Sequence, residues 1–546
     1  MTGLAPANIP LSGVFGNNGP YTDIQVEVQV SGPLLAHTYS AAVLGVDAYI
    51  VKVECHLDNA VPPTFTTVGL PEGAVRESKE RVTAALKNSG YKVPQKRTTV
   101  NLAPADIRKE GSAFDLPIGI GILSALGFVP QEAMEKVILV GELGLDGALR
   151  IVKGVLPITM AARKAGYQTI LVPAANGTEA ALIDGIQVGA VESLRDVMAI
   201  LNGEASLEPV QVEGRSLLQR ARTTHIDFSE VKGQEHAKRA VEVAAAGGHN
   251  AILIGPPGSG KTMVAQRIPT ILPMLSLEEA LETTKIHSVA GALPPGEGII
   301  GQRPFRSPHH TISDAGLVGG GSVPKPGEVS LAHHGVLFLD ELPEFHKSVL
   351  EVLRQPLEAG HVTIARAKVS VTYPANVMLV AAMNPCPCGF ATDPRNQCSC
   401  SPPAIQRYMS RISGPLLDRI DIHVEVPAVK IEELAAKSDG ERSEAIRERV
   451  EAARERQRRR FDEDPAIFAN AHMGSKALRR YCPLPTDGEE LLTSAINRLG
   501  LSARAYDRII KVARTIADIA GTDTIQTPHL AEAIQYRSLD RQLWLG

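Results

Sequence analysis

Charge of one sign, long apolar runs and cysteine are all scarce in this chain of 546 residues. The formal net charge is −4 and the pI about 6.5. No global basic field therefore marks the surface for nucleic acid or an acidic membrane, and any polyanion site must be local. The longest apolar stretch, 118–129, is interrupted by Gly119, Gly121, Ser124 and Gly127 and is too short to cross a bilayer. No basic segment followed by an apolar one opens the chain, so the expectation is a cytoplasmic protein without membrane contact. Of six cysteines, four fall between Cys386 and Cys400. That distribution suits a reduced compartment and a metal better than a disulfide framework. Internal repeats and low-complexity tracts are absent as well.

What is present is a globular composition, 44% apolar with mixed charge, in a length that predicts about three units. Residues 1–35 are rich in Gly, Pro and Asn, with strand alternation only at 24–30 (IQVEVQV), and read as a loosely ordered extension. From 36 to 203, apolar runs such as VILVGEL and TILVPAAN alternate with helical stretches, predicting a self-contained α/β domain. Residues 204–225 show no sustained period and read as a linker. A second domain spans 226–429, opening with a helix capped near Asp227 or Ser229; its strand and helix units predict a parallel sheet covered on both faces. Residues 430–546 turn helical and charged.

The second domain carries the chemistry. The octapeptide Gly255, Pro256, Pro257, Gly258, Ser259, Gly260, Lys261, Thr262 follows the apolar run AILI and leads into a helix-compatible segment. Strand, glycine loop and helix start make a triphosphate cradle: backbone N–H groups turn inward, Lys261 reaches the β and γ phosphates, and the Thr262 hydroxyl ligates magnesium. Downstream, VLFLDE ends a buried strand in two carboxylates. Asp340 is placed to hold magnesium, and Glu341 to orient and polarise the attacking water. A third apolar run, VMLVAAMN, ends at Asn384, a candidate partner for the γ-phosphate or the water.

This succession, followed by GPLLDRIDIHVEV, resembles an AAA+ ATPase, which implies ATP and Mg2+ as cofactors. The resemblance gives Arg419 the place of an arginine that reaches a neighbouring subunit's γ-phosphate, with Arg411 and Arg407 as competitors. It puts a second sensor arginine at Arg504, with Arg508 one turn on. Longer segments (RPFRSPHHTISDAGLVGGGSVPKPGEVSLAHHGVLFLDELPEF, AAMNPCPCG and RISGPLLDRIDIHVEVP) resemble the magnesium-chelatase-like AAA+ proteins of the ComM/YifB type. That likeness covers the chain from about residue 36. It implies a Lon-protease-like N-domain, an AAA+ core and a helical C-terminal lid. In function it implies a hexameric ring that acts on single-stranded or branched DNA, a helicase promoting branch migration during natural transformation. The alternatives are a metal-chelatase-type ATPase subunit and a nucleotide-dependent scaffold that remodels proteins.

Independent support for a DNA motor comes from GHVTIARAKVSVTYP, whose alternation predicts a hairpin with Arg366 and Lys368 at a basic tip. These cations are candidates to grip phosphates without reading sequence. The long Gly- and Pro-rich stretch 287–321 adds Arg303 and Arg306 as candidate DNA contacts; the pair His309 and His310 has no accompanying ligand spacing. The run 442–460 interleaves arginine with glutamate and reads as a salt-bridged helix rather than a DNA site.

Two Cys-x-Cys pairs, Cys386 with Cys388 and Cys398 with Cys400, can converge as four thiolates on a structural zinc; an iron–sulfur cluster and reduced thiols are the other readings. Cys55 and Cys482 read as small apolar residues. In the N-domain, the resemblance to Lon-type peptidases puts Ala113 at the nucleophile position and Leu156 at the lysine position. Ser112 and Lys153 are near neighbours, but the expectation is a fold retained without peptidase chemistry.

Overall fold

The computed structural model describes residues 34–539 except 61, 93–95, 222–225, 295, 322–323, 367–368, 394, 430–439 and 465–466. The alternating segment 24–30 therefore lies outside the described residues, and the first strand already begins at Leu34.

In the N-terminal part, seven strands form one mixed sheet. They are β1 (Leu34–Leu44), β2 (Asp47–Asp58), β3 (Phe65–Val68), β4 (Arg97–Ala103), β5 (Val137–Leu139), β6 (Thr169–Pro173) and β7 (Gln187–Val191), in the order β3-β4-β2-β1-β5-β6-β7. β1, β2 and β4 pair antiparallel, and the remaining pairs run parallel. Helix α1 (Asp115–Ala125) is buried along nearly its whole length, which is why its sequence reads as an unbroken apolar run. Cys55, fully buried against it, has its thiol pushed up to about 12 by that burial.

The second sheet has five parallel strands: β8 (Ala251–Ile254), β9 (Phe305–Arg306), β10 (Val336–Leu339), β11 (Met378–Met383) and β12 (Ile422–Glu425), in the order β9-β10-β11-β8-β12. Every residue of β8, β10 and β11 is buried, because helices and loops cover both faces. The period of two sorts their side chains between two cores. Leu253, Phe338, Val380 and Val424 face one, and Ile254, Leu339, Leu379 and Ala381 the other. On the first face lie α2 (Glu235–Gly247), α3 (Lys261–Ile271) and the C-terminal helices α5 (Ser443–Arg460), α6 (Ala503–Ile519) and α7 (Thr527–Gln535). Among the described residues no strand follows β12.

Two expectations shift. Asp227 does cap, accepting from Ser229 N at 2.8 Å, but what it caps is the single turn Phe228–Glu230; the helix proper starts at Glu235. The stretch read as a linker holds the helix Gly214–Arg220, whose Leu218 joins Leu275, Ala280 and Ile299 in a small core. Its apolar face is too short to show a period.

That core belongs to a seam between the two sheets' domains. Helix α4 (Leu277–Ala290) presents its C-terminal end to the N-terminal part: Gly154 N donates to Ser288 O at 3.1 Å, and Ser288 Oγ donates to the buried Glu179. Glu179 also accepts from Leu156 N at 2.9 Å and Asn176 at 3.1 Å. Lys285 pairs with Asp47, the first residue of β2. Lys153 lies against Gly291, and Ser112 donates to Glu142, so each member of the shifted Ser–Lys pair is engaged elsewhere. Ala113 packs against the core of Ala41, Ile138 and Val155, and Leu156 is fully buried.

Candidate nucleotide site

The sheet explains where the polar residues gather. β8 is interior and flanked by two later strands, β11 and β12, so a crevice opens at its carboxyl end. The phosphate loop fills that end. Gly258 and Gly260 have φ of 74° and 88°, a region that glycine adopts without a Cβ penalty, and Gly260 caps α3. At Gly255 a Cβ would collide with the Val426 carbonyl, so the loop hugs the exit of β12.

Lys261 is 8% exposed and donates to the carbonyls of Gly255 (2.8 Å) and Pro256 (2.9 Å) and to Asn384 Oδ1 (3.2 Å). Burial lowers its ammonium pKa, and Asp340 opposes that shift. Thr262 Oγ1 donates to Asp340 Oδ2 at 2.8 Å. A hydroxyl and a carboxylate meeting beside a phosphate cradle are a donor set that fits magnesium. Glu341 has φ 52°, its N–H donates to Asp340 Oδ1 at 2.9 Å, and its side chain is exposed. His310 Nδ1 lies 3.4 Å from Glu341 Oε2 and stacks on His309. The predicted residues Lys261, Thr262, Asp340, Glu341 and Asn384 thus converge on one cavity of about 760 Å³. His310 is a neighbour that the sequence reading left without a role.

The predicted arginines divide. Arg411 donates to Pro343 O and Glu344, just past the acidic strand, and so lies on the phosphate-loop edge. Arg419 does not. It is 7% exposed, bonded to Pro415 O and Glu358, and its own carbonyl accepts from Asn250, the residue before β8. Arg504 lies 3.4 Å from Asp418, and Arg508 pairs with the buried Asp421. Burial lowers the Arg419 guanidinium pKa, and Arg354, Arg504 and Arg508 add to the shift. Arg419, Arg504 and Arg508 line a second cavity of about 620 Å³ with Asn250, His334, Asn376 and Asp421. Those residues stand at the amino ends of β8, β10, β11 and β12, the opposite edge from the phosphate loop. The two cavities share no lining residue.

At that edge His333, His334 and Glu282 also cluster. His333 Nδ1 accepts from Asn376 N at 2.9 Å, which leaves the ring proton on Nε2, facing Glu282; the ring is thus set as a donor, not as a metal ligand.

The candidate DNA contacts fare unequally. The hairpin His361–Arg366 and Val369–Pro374 forms as expected, with Arg366 opposite Val369 and exposed. Lys368 lies outside the described residues. Arg303 is a correction: its side chain is 12% exposed and donates to Pro273 O, His334 O and Glu279, so it braces the fold instead of offering a phosphate contact. Arg306 is held by both oxygens of Glu328, at 2.6 and 2.8 Å, and reaches a ligand only by leaving that pair. The arginine-rich run is helix α5, its cations tied to Glu441, Glu242, Glu455 and Asp518.

The four cysteines come together as predicted. Cys386 Sγ lies 3.3 Å from Cys388 Sγ and 3.7 Å from Cys398 Sγ; Cys388 and Cys398 are 3.6 Å apart, and all four are free thiols. A tetrahedral zinc with bonds near 2.3 Å has sulfur–sulfur edges of about 3.8 Å, so the donor set fits that ion. Backbone N–H groups of Phe390 and Ser399 pull the Cys388 thiol down to about 6, toward the thiolate a metal needs. Cys482, in the other core, is pushed up to about 12 by burial.

Residues 227–434 match the family described as magnesium chelatase, subunit ChlI; residues 53–176 match subunit ChlI of Mg-chelatase, and 440–537 its ChlI C-terminal part. The chain is 46% identical over 511 residues to Competence protein ComM of Haemophilus influenzae, covering 93% of this chain and 98% of that one. It is 45% identical over 513 residues to YifB of Escherichia coli, with the same coverage. Against the chloroplastic magnesium-chelatase subunit ChlI of Oryza sativa subsp. indica, identity is 20% over 289 residues, 49% of this chain and 58% of the relative. Among the described residues no helix is long and apolar enough to cross a membrane.

Proposed function

The chain belongs to the ComM/YifB-type family of magnesium-chelatase-like proteins, and from that premise we propose that it is an ATP-hydrolysing AAA+ ring motor that acts on DNA. The family supports the ATPase, and the name of its Haemophilus relative supports a place in competence. The step to a DNA helicase or branch-migration motor rests on the exposed Arg366 hairpin and on the division of charge within the domain.

One observation carries the ring. The phosphate loop and the arginine cluster of Arg419, Arg504 and Arg508 occupy opposite edges of one sheet, about 13 Å apart along a four-residue strand. A chain cannot bring its own cluster to its own nucleotide. A head-to-tail neighbour can, and repetition of that heterologous contact closes a ring, for which we propose a hexamer. In this reading Arg419 and Arg504 both act on the neighbour's nucleotide. Helices α5 to α7 form the lid domain, and the seven-stranded part is a Lon-like fold without peptidase chemistry.

Bound MgATP supplies the γ-phosphoryl group. Lys261 exchanges its backbone carbonyls for phosphate oxygens, while Thr262 and Asp340 hold the ion. Glu341 orients water and accepts its proton at the carboxylate that His310 steadies. Asn384 fixes the Lys261 ammonium from the adjacent strand end. Steady-state hydrolysis with and without branched DNA tests the reading. Glu341→Gln is expected to bind ATP and to hydrolyse it at least about a hundredfold more slowly. Turnover indifferent to single-stranded and branched DNA at low salt would refute the DNA motor.

A further inference from the structure

With Arg504 on the opposite edge, the nucleotide cavity has another guanidinium. The residues between the two Cys-x-Cys pairs fold over it: Phe390, Asp393, Arg395 and Asn396 line the same cavity as Lys261, Thr262 and Glu341, and Arg395 is the arginine among its described lining residues. We propose that this cysteine-bounded loop is a clamped wall of the nucleotide site, and that Arg395 binds the phosphate chain of the nucleotide held by its own subunit. The proposal rests on the ATPase reading above.

Three contacts place the loop. Gly389, at φ +88°, packs so closely on the phosphate loop that a Cβ there would come within 2.5 Å of Pro257 Cδ. Cys388 N donates to Cys400 Sγ at 3.4 Å, tying the loop's two ends together beside the sulfur cluster. At its tip, Asp393 accepts from Arg395 N at 2.9 Å and from Asn396 Nδ2 at 2.8 Å, which fixes the direction in which Arg395 leaves the backbone. The guanidinium itself is weakly held, 3.4 Å from Val429 O and 3.8 Å from Asp393, on a half-exposed side chain. A cation with long contacts, facing a cradle built for triphosphate, is disposed to exchange them for charge-assisted bonds to phosphate oxygens. The sulfur cluster then has a function besides stability: it sets the distance between Arg395 and Lys261.

The test is equilibrium binding of a fluorescent, non-hydrolysable ATP analogue to the full chain and to Arg395→Ala, Arg395→Lys, Cys398→Ser, the Arg395→Ala/Cys398→Ser double variant and Lys261→Ala. Arg395→Ala is expected to weaken binding about tenfold with an unchanged melting temperature of the nucleotide-free protein, Arg395→Lys by less, and the double variant by little more than Cys398→Ser alone. Should Cys398→Ser melt early, metal release from the native chain by a thiol reagent replaces it, and affinity is then expected to fall as metal leaves. Unchanged affinity in Arg395→Ala, with Lys261→Ala abolishing binding, would overturn this inference alone. Full additivity in the double variant would overturn the clamp. If Lys261→Ala also binds normally, the nucleotide site itself has been misread.

Discussion

If the phosphate loop of one chain is completed by arginines of the next, two inactive variants should repair each other. Lys261→Ala destroys one half of each junction and leaves the Arg419 edge intact; Arg419→Ala does the reverse. Alone, each is expected to hydrolyse ATP at no more than about a thousandth of the native rate, since an arginine supplied to the transferring phosphoryl group is worth that much or more. In a random equimolar mixture a junction works when its loop comes from an Arg419→Ala chain and its arginine from a Lys261→Ala chain, so about a quarter of junctions are intact in any closed head-to-tail ring. The expected recovery is therefore about a quarter of native turnover per chain if junctions fire independently, and less if a ring needs several in succession. The geometry makes the estimate sharp, because the two edges share no lining residue and neither substitution touches the other half. The assay is steady-state phosphate release after the variants are mixed, allowed to exchange and brought to a concentration that saturates native assembly. A mixture no more active than its separate components, in rings shown by mass to contain both chains, would refute the division between the two edges.

Other expectations follow from single features. Arg366→Ala is expected to weaken DNA binding about fivefold and to lower its salt slope by about one, while DNA-independent hydrolysis stays near native; equal loss of both would remove the hairpin from DNA contact. Metal analysis of protein purified without added zinc should give about one zinc per chain; near-zero metal with four titratable thiols would exclude the cluster as a zinc site. His249 is fully buried between Asp421 at 3.0 Å and Thr515 at 2.8 Å, and burial holds its imidazole below the ordinary value against the pull of Asp421. The unfolded chain takes up that proton below about pH 6.5, so stability should fall on acidification, by at most about 1.4 kcal/mol per pH unit, until the lowered folded value is passed. Melting at about pH 7.5, 6.5 and 5.5 checks this, and His249→Gln should flatten the slope. Asp421 acts in a lower window. Burial raises its carboxyl, but Arg508 and then His249 more than offset that and hold it below the usual range, so its contribution is lost only under about pH 4.

The nucleotide half-site was legible because its parts are contiguous: glycine loop, acidic strand end and Asn384 each announce themselves in a few residues, and parallel strands bring their carboxyl ends together without further instruction. Arg419, just ahead of a parallel strand, was legible as an amino-edge residue, whereas Arg504 was legible as a candidate but not as an occupant of that edge. Where Arg504 ends up depends on how helices α5 to α7 pack, and no local pattern encodes that. Arg303 looked available because its loop is rich in Gly and Pro, yet the carbonyls that take its protons belong to Pro273 and His334, distant in sequence. Arg395 was hidden for the opposite reason: between two cysteine pairs it reads as spacer, and only the crossing of that loop over Pro257 gives it a position. The helix within the expected linker was too short for a period to emerge.

The attachments between the two sheets' domains follow one seam: Lys285, Ser288 and Gly291 of helix α4 and the loop beyond it, Gly298 against Thr178, and the β1–β2 turn, where Val46 packs against the second domain's core and Gly45 lies against Val371. Mechanically that makes the seven-stranded sheet a lever arm hinged along this seam. The sheet is about 29 Å across at the usual strand spacing, so a ten-degree turn about the hinge sweeps an edge through up to about 5 Å. Small rotations at the hinge would thus be multiplied at the rim, and substitutions at Ser288 or Glu179 would register as lost transmission before they registered as lost ATP binding.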